Sequence, residues 1–253
     1  MNRHVRVGLI VPSSNTTMET EVPAMLRRRE SVDSTSFTFH SSRVRLQHVT
    51  REELGRMVAD SDRCAVELAD ARVDVMAYAC LVALMAQGPG YFQQAEERLA
   101  GVAAEAGCPV PVVSSAGALV RALQALDATK VVLVAPYMKP IAETVVQCIA
   151  DAGVEVQDYV TLEVSDNLEV GRLDPMRLPA IAEQLDRSNA DAVVLSACVQ
   201  MPSLPAIAEA ERLLGLPVLS AATATTFELL LRLGLDPVVP EAGHLLSGQV
   251  RPV

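Results

Sequence analysis

Short apolar runs alternate along this chain with longer stretches in which apolar residues recur every three to four positions. Arg6-Val-Gly-Leu-Ile-Val-Pro12, Val75-Met-Ala-Tyr-Ala79, Lys130-Val-Val-Leu-Val-Ala-Pro136 and Val193-Val-Leu-Ser-Ala197 have scarcely a polar residue at their centres. Continuous runs of this length read as strands covered on both faces, the pattern of a parallel sheet. The segments Arg51 to Ala71 and Pro175 to Ser188 have the helical spacing and predict amphipathic helices. Strand and helix in alternation specify an α/β fold, a parallel sheet with helices on both faces.

The pattern occurs twice. Arg6 to Ser13 resembles Lys130 to Tyr137, each a strand that ends in Pro and a polar residue. The next strands, Ser36-Phe-Thr-Phe39 and Glu155 to Val160, run into polar loops and then into the two predicted helices. Two further strands end in Ala-Cys, at Cys80 and Cys198, and two short ones, Pro109 to Val113 and Leu216 to Leu219, lead into helices. The chain therefore predicts two doubly wound domains related by a pseudo-twofold axis, each with a parallel four-stranded sheet flanked by helices. Ligands of open α/β sheets bind at the carboxyl ends of the strands. The predicted active site is the cleft between the halves, lined by the loops Ser13 to Thr17 and Pro136 to Lys139 and by the two cysteine loops.

Composition narrows the partners. A net charge of −10 argues against nucleic acid or an anionic membrane, both repelled over a screening length of about 8 Å. Met1-Asn-Arg-His4 leads straight into a strand without the zones of a signal peptide, which predicts a cytoplasmic protein. The apolar stretch Ala77 to Ala86 is about half the length a bilayer-spanning helix needs. The five cysteines include no CxxC pair and no zinc-finger spacing, so reduced thiols are expected. The four histidines show no ligand spacing, and no metal site is expected.

Several residues carry candidate chemistry. Free cysteine is often a small buried hydrophobe, the reading adopted for Cys64, Cys108 and Cys148. Cys80 and Cys198 differ, because each falls at a strand end directly before an expected helix start, where backbone N–H groups favour a thiolate. Some depression of the Cys80 pKa is expected on that ground. In Pro12-Ser-Ser-Asn-Thr-Thr-Met-Glu19, Thr16 and Glu19 have capping-box spacing, and Asn15 with the hydroxyls could either cap that helix or bind a carboxylate. Tyr137 and Asn167 are polar residues at the first two strand ends of the second half, with a purely structural reading equally open. Arg27-Arg-Arg29 reads as a solvated helix face.

Pro12 to Glu19, Ala79-Cys-Leu-Val82, Ser165-Asp-Asn-Leu-Glu169 and Ser196-Ala-Cys-Val-Gln-Met-Pro202 together resemble the maleate cis-trans isomerases of the aspartate/glutamate racemase superfamily. The resemblance runs over nearly the whole chain. It implies Cys80 as nucleophile and Cys198 as its proton donor and acceptor. It further implies that Asn15, Tyr137 and Asn167, with the backbone around Leu81, Val82 and Val199, hold the two carboxylates. A homodimer, no cofactor, and a C-terminal segment packed back on the N-terminal half are also implied. The expected halves are residues 1–115 plus 222–253 and residues 116–221.

Such residues suit that chemistry. Rotation about the maleate C=C bond is blocked until its double-bond character is removed, and addition of a thiolate does this through a succinyl-cysteine intermediate. Other readings of the same two thiols are a cofactor-independent racemase of the aspartate/glutamate or hydantoin type and an arylmalonate-type decarboxylase. The last of these typically keeps only the second cysteine. A non-enzymatic dicarboxylate-binding protein is the remaining alternative, and a redox protein is disfavoured by the lack of a CxxC motif.

Overall fold

In the computed structural model, residues 3–251 are described. Met1 and Asn2, and the last two residues of the 222–253 range, lie outside the described residues. The first half runs β1 (Arg3–Pro12), α1 (Met18–Arg29), β2 (Thr35–Val44), α2 (Arg51–Asp70), β3 (Val75–Tyr78), α3 (Leu81–Met85), α4 (Tyr91–Glu105), β4 (Val112–Ser114) and α5 (Ser115–Ala125). The second half repeats the order with β5 (Lys130–Ala135), α6 (Lys139–Asp151), β6 (Glu155–Thr161), α7 (Asn167–Val170), α8 (Leu178–Ala182), β7 (Ala192–Ser196), α9 (Ile207–Leu214), β8 (Val218–Ser220) and α10 (Ala221–Arg232).

All pairings within the two sheets are parallel, with orders β2-β1-β3-β4 and β6-β5-β7-β8. The orders correspond strand for strand, as the internal repeat predicts. In each sheet the chain leaves its first strand to one side and returns to the other, so the crevice opens at the carboxyl ends of β1 and β3 and of β5 and β7. The candidate loops follow those four strands.

The central strands β3 and β7 are buried at every position, which is why they read as unbroken apolar runs. Helix α10 is buried over its first ten residues, Ala221 to Leu230. Three threonines in it are tolerated because each hydroxyl is bonded, Thr223 to Ser220, Thr225 to Ala221 and Thr226 to Ala222. It packs against α1 and α5, so the C-terminal helix lies on elements of the N-terminal part of the chain.

Several local expectations are corrected. The helix expected over Pro175 to Ser188 is a 3₁₀ turn, Pro175–Arg177, followed by the short α8. Pro175 and Pro179 bring no N–H to an extended helix, and the Arg187 guanidinium takes the carbonyls of Ala182, Glu183 and Leu185 at its end. The strand expected over Ser36 to Phe39 spans Thr35–Val44, in register with β1 along its whole length. Arg29 is not solvated: it is 2% exposed, with Nη2 donating to Asp33 and Nε to the Asp236 carbonyl. Three consecutive arginines at helical spacing cannot share one face, and the third turns inward. Among the described residues, no helix is long and apolar enough to cross a membrane.

Candidate active site

Cys80 lies two residues beyond β3, at φ +85° and ψ +75°. A non-glycine residue there costs on the order of 1–3 kcal/mol, and such strain persists where the surroundings fix it. Here β3 on one side and α3 on the other enforce the turn, which sets the thiol at the carboxyl edge of the sheet. Cys198 lies two residues beyond β7 and is followed by a turn, with α9 beginning only at Ile207. A helix start directly after the cysteine is therefore found at Cys80 and not at Cys198. The Ser196 hydroxyl, which donates to the carbonyls of Cys198 and Met201, builds the second turn instead.

Both thiols open into one narrow cavity with Asn15, Leu81, Val82, Tyr137, Asn167 and Val199. All eight residues singled out from the sequence line it. Pro12, Leu46, Val49 and Gln200 line it as well. Leu46 and Val49 are apolar positions in the otherwise polar stretch Arg45 to Thr50, and Gln200 is two residues from Cys198. Those were the available signals. The cavity has a volume of about 20 Å³. That is room for one or two waters, so only a small ligand is accommodated. The lining residues include no lysine or arginine.

Asn15 caps the first helix, one of the two purposes considered for it. Its Oδ1 accepts the Thr17 and Met18 N–H groups at 3.0 and 2.9 Å, capping α1. With the oxygen committed, the Nδ2 donors are left for the cavity. The expected Thr16/Glu19 capping box does not form. Thr16 N–H donates to Gln200 Oε1 at 2.8 Å, Thr17 is the N-cap without a side-chain bond, and Glu19 pairs with Arg43. Arg43 also binds the Asn15 carbonyl from behind the loop.

Asn167 opens α7 and donates to Ser14 Oγ at 2.8 Å, joining the second half to the first. Tyr137 is buried, and its hydroxyl donates to the Ala197 carbonyl at 3.2 Å. The Tyr137 pKa lies well above its ordinary value, because burial and the neighbouring thiols disfavour the phenolate. It is held as a neutral donor.

Burial also reverses the expectation for Cys80. Desolvation pushes the Cys80 thiol up to about 12, opposed only by the Ala83 N–H and reinforced by the Cys198 charge. Desolvation raises Cys198 too, against three donors, the Tyr137 hydroxyl and the N–H groups of Gln200 and Met201. With no cation in the lining, removal from water outweighs the helix start at Cys80. Burial thus favours the protonated form of both thiols. Cys64, Cys108 and Cys148 are buried elsewhere, Cys64 in α2, Cys148 in α6, and Cys108 donating to the Val73 carbonyl.

A family model described as arylmalonate decarboxylase matches residues 7–246. The maleate isomerase of Geobacillus stearothermophilus is 60% identical over 250 residues, covering 98% of this chain and 100% of that protein. The chain belongs to the maleate isomerase family. Among solved family members, a Cys-to-Ala variant of the isomerase Iso from Pseudomonas putida S16, with maleate, superposes with a TM-score of 0.97 at 55% identity, over 98% of this chain and 99% of that one. A Cys-to-Ser variant of the Nocardia farcinica maleate cis-trans isomerase, with a covalently bound succinylcysteine intermediate, superposes at 0.93 with 49% identity, over 96% and 98%. Membership thus accounts for the doubled sheet.

Proposed function

We propose that this protein converts maleate to fumarate without metal, nucleotide or pyridoxal phosphate, using Cys80 as nucleophile and Cys198 as proton donor and acceptor. The observation that carries the proposal is the meeting of two strand-end thiols in one small cavity whose other polar groups are neutral donors. The names of the family members and the succinylcysteine in one of them support it.

In the proposed cycle, the Cys80 proton passes to the water that substrate displaces, and the sulfur adds to C2 of maleate. The S–C2 bond forms, and the π pair moves onto C3 and its carboxylate. Cys198 then gives its proton to C3, leaving a succinyl-cysteine and a Cys198 thiolate. C2–C3 is now a single bond and rotates. Cys198 takes a proton back from C3, the pair re-forms the double bond, and the C2–S bond breaks to return the Cys80 thiolate, which regains its proton from water as fumarate leaves. No atom is gained or lost.

Asn15 Nδ2, Tyr137, Asn167 and the backbone at Leu81, Val82 and Val199 are the proposed carboxylate holders. Neutral donors suit a cycle in which charge moves between carboxylate and sulfur, because a fixed cation would trap the dianion. Loss of one such donor from an oxyanion-type site typically costs about 3–4 kcal/mol. The bodies proposed to close on substrate are 1–115 with 222–253 and 116–221, which differ from the two sequence repeats by exchanging α5 and α10, and those two helices, packed side by side, form their seam. A homodimer and a cytoplasmic location complete the proposal, and sedimentation of the purified protein checks the first.

Proton NMR tests the activity. EDTA-treated protein should replace the maleate vinyl signal by that of fumarate, and an unchanged signal over hours would overturn the proposal. The name of the matching family model favours one alternative, decarboxylation of an arylmalonate by Cys198 alone. Release of carbon dioxide from phenylmalonate by a Cys80→Ala variant would support that reading instead.

A further inference from the structure

We propose that Gln200 is a positioning residue whose side-chain amide locks the Cys198 loop onto the Asn15 loop and Asn167, so that the proton-transfer thiol and the carboxylate holders are set as one unit. This role rests on the isomerase reading above; the lock itself does not.

A glutamine amide offers one acceptor oxygen and two N–H donors. At Gln200 all are used, on the Asn15 loop across the cleft and on Asn167 beside it. Oε1 accepts the Thr16 N–H at 2.8 Å, and Nε2 donates to the Asn167 carbonyl at 2.7 Å and the Ser14 carbonyl at 3.2 Å, with Thr16 Oγ1 at 3.4 Å. The residue is 2% exposed, so these bonds are made out of water, where leaving any of them unmade is costly. The Gln200 backbone N–H lies 3.4 Å from Cys198 Sγ and lowers the thiol pKa. One residue therefore supplies the N–H at the sulfur and anchors that N–H to the opposite half. Glutamate could not replace it, having no hydrogen to give to Asn167 or Ser14, and asparagine is one methylene too short.

Packing gives independent support. A Cβ on Gly171 would sit 2.6 Å from Thr16 Oγ1 and 2.7 Å from Gln200 Nε2. Its φ of −69° suits any residue, so glycine is needed there for room and not for backbone freedom. The space is taken by the Thr16 hydroxyl and the Gln200 amide together.

The test compares Gln200→Met, which keeps length and deletes the amide bonds, with Gly171→Ala, which leaves Gln200 in place and crowds its seat. Each should lower kcat for maleate by roughly 10- to 100-fold well below the melting midpoint, while maleate still adds to Cys80 in intact-mass spectra. The high-pH limb of kcat, set by loss of the Cys198 proton, should move upward because the N–H that stabilises the thiolate is loosened. The double variant should be no worse than the poorer single one, since both break the same contact. Normal kcat with only a lowered melting midpoint, or effects that multiply, would overturn the positioning role. Should the parent protein leave maleate unchanged, the isomerase reading fails, and hydrogen exchange without substrate decides the lock. Protection of the Thr16 and Gln200 amides lost in both variants supports it, and equal protection in all three proteins overturns it.

Discussion

Glu21 and Ser203 join the first helix of the chain to the loop that carries Cys198. The carboxylate accepts the Ser203 N–H at 2.7 Å, its hydroxyl at 3.1 Å and the Leu204 N–H at 2.7 Å. Burial raises the Glu21 pKa and these three donors oppose the rise. Both ends are buried, so neither the carboxylate nor the two amides has water to fall back on.

Glu21→Ala should therefore destabilise the protein by about 1–3 kcal/mol for each backbone N–H left without an acceptor. Equilibrium denaturation in urea reads this as a lower midpoint. An unchanged midpoint would mean that the clasp forms with water when Glu21 is removed.

The thiol environment predicts a pH dependence. An ordinary thiol ionises near pH 8.5, whereas burial pushes Cys80 up to about 12. Alkylation of Cys80 by iodoacetamide in unliganded protein should keep rising from pH 8 to pH 10, followed by peptide mass mapping. A plateau below about pH 8.5 would show that the thiolate is stabilised at rest. The folded state holds this proton more tightly than the unfolded one. The Cys80 contribution to stability is thus complete below about pH 8.5 and is lost at about 1.4 kcal/mol per pH unit as pH climbs toward the folded pKa. Cys80→Ala should lose that slope.

The two cysteines should fail differently. Cys80→Ala abolishes turnover and adduct formation, whereas Cys198→Ser still adds substrate to Cys80 and releases product slowly. Intact-mass spectrometry after incubation with maleate separates them. A substrate-sized increase mapping to Cys198 would exchange the roles.

Tyr137→Phe deletes one hydroxyl that lies beside Cys198 and bonds the Ala197 carbonyl. It should lower kcat/KM by roughly one to three orders of magnitude and raise the Cys198 pKa, with little change in melting midpoint. Steady-state kinetics across pH checks both. Near-normal kcat/KM in this variant and in Asn167→Ala would remove the second half from substrate binding.

Architecture was legible because burial on both faces writes itself as an apolar run, and the duplicated strands β1 and β5, and β3 and β7, carry that mark twice. Both cysteines, Asn15 and Tyr137 were found for the same reason, since each lies within three residues of a strand end. Helix α8 was misjudged because apolar spacing continues through Pro175 and Pro179, which the helical backbone cannot exploit. Arg29 was misjudged because nothing in three consecutive arginines says which of them finds Asp33 and the Asp236 carbonyl.

Residue types and their order determined by themselves the doubled parallel sheet, the crevice at its strand ends and the identity of the two thiols. Those features follow from local periodicity and from the repeat, which act within a few residues. Tertiary structure alone decided the ionisation of Cys80 and the partners of Gln200 and Glu21. Each of these depends on groups more than a hundred positions away or on exclusion of water, and neither leaves a periodic trace in the chain. A strand-end cysteine before a helix reads as acidic, and only the closed cavity around it, without a cation, makes it the reverse.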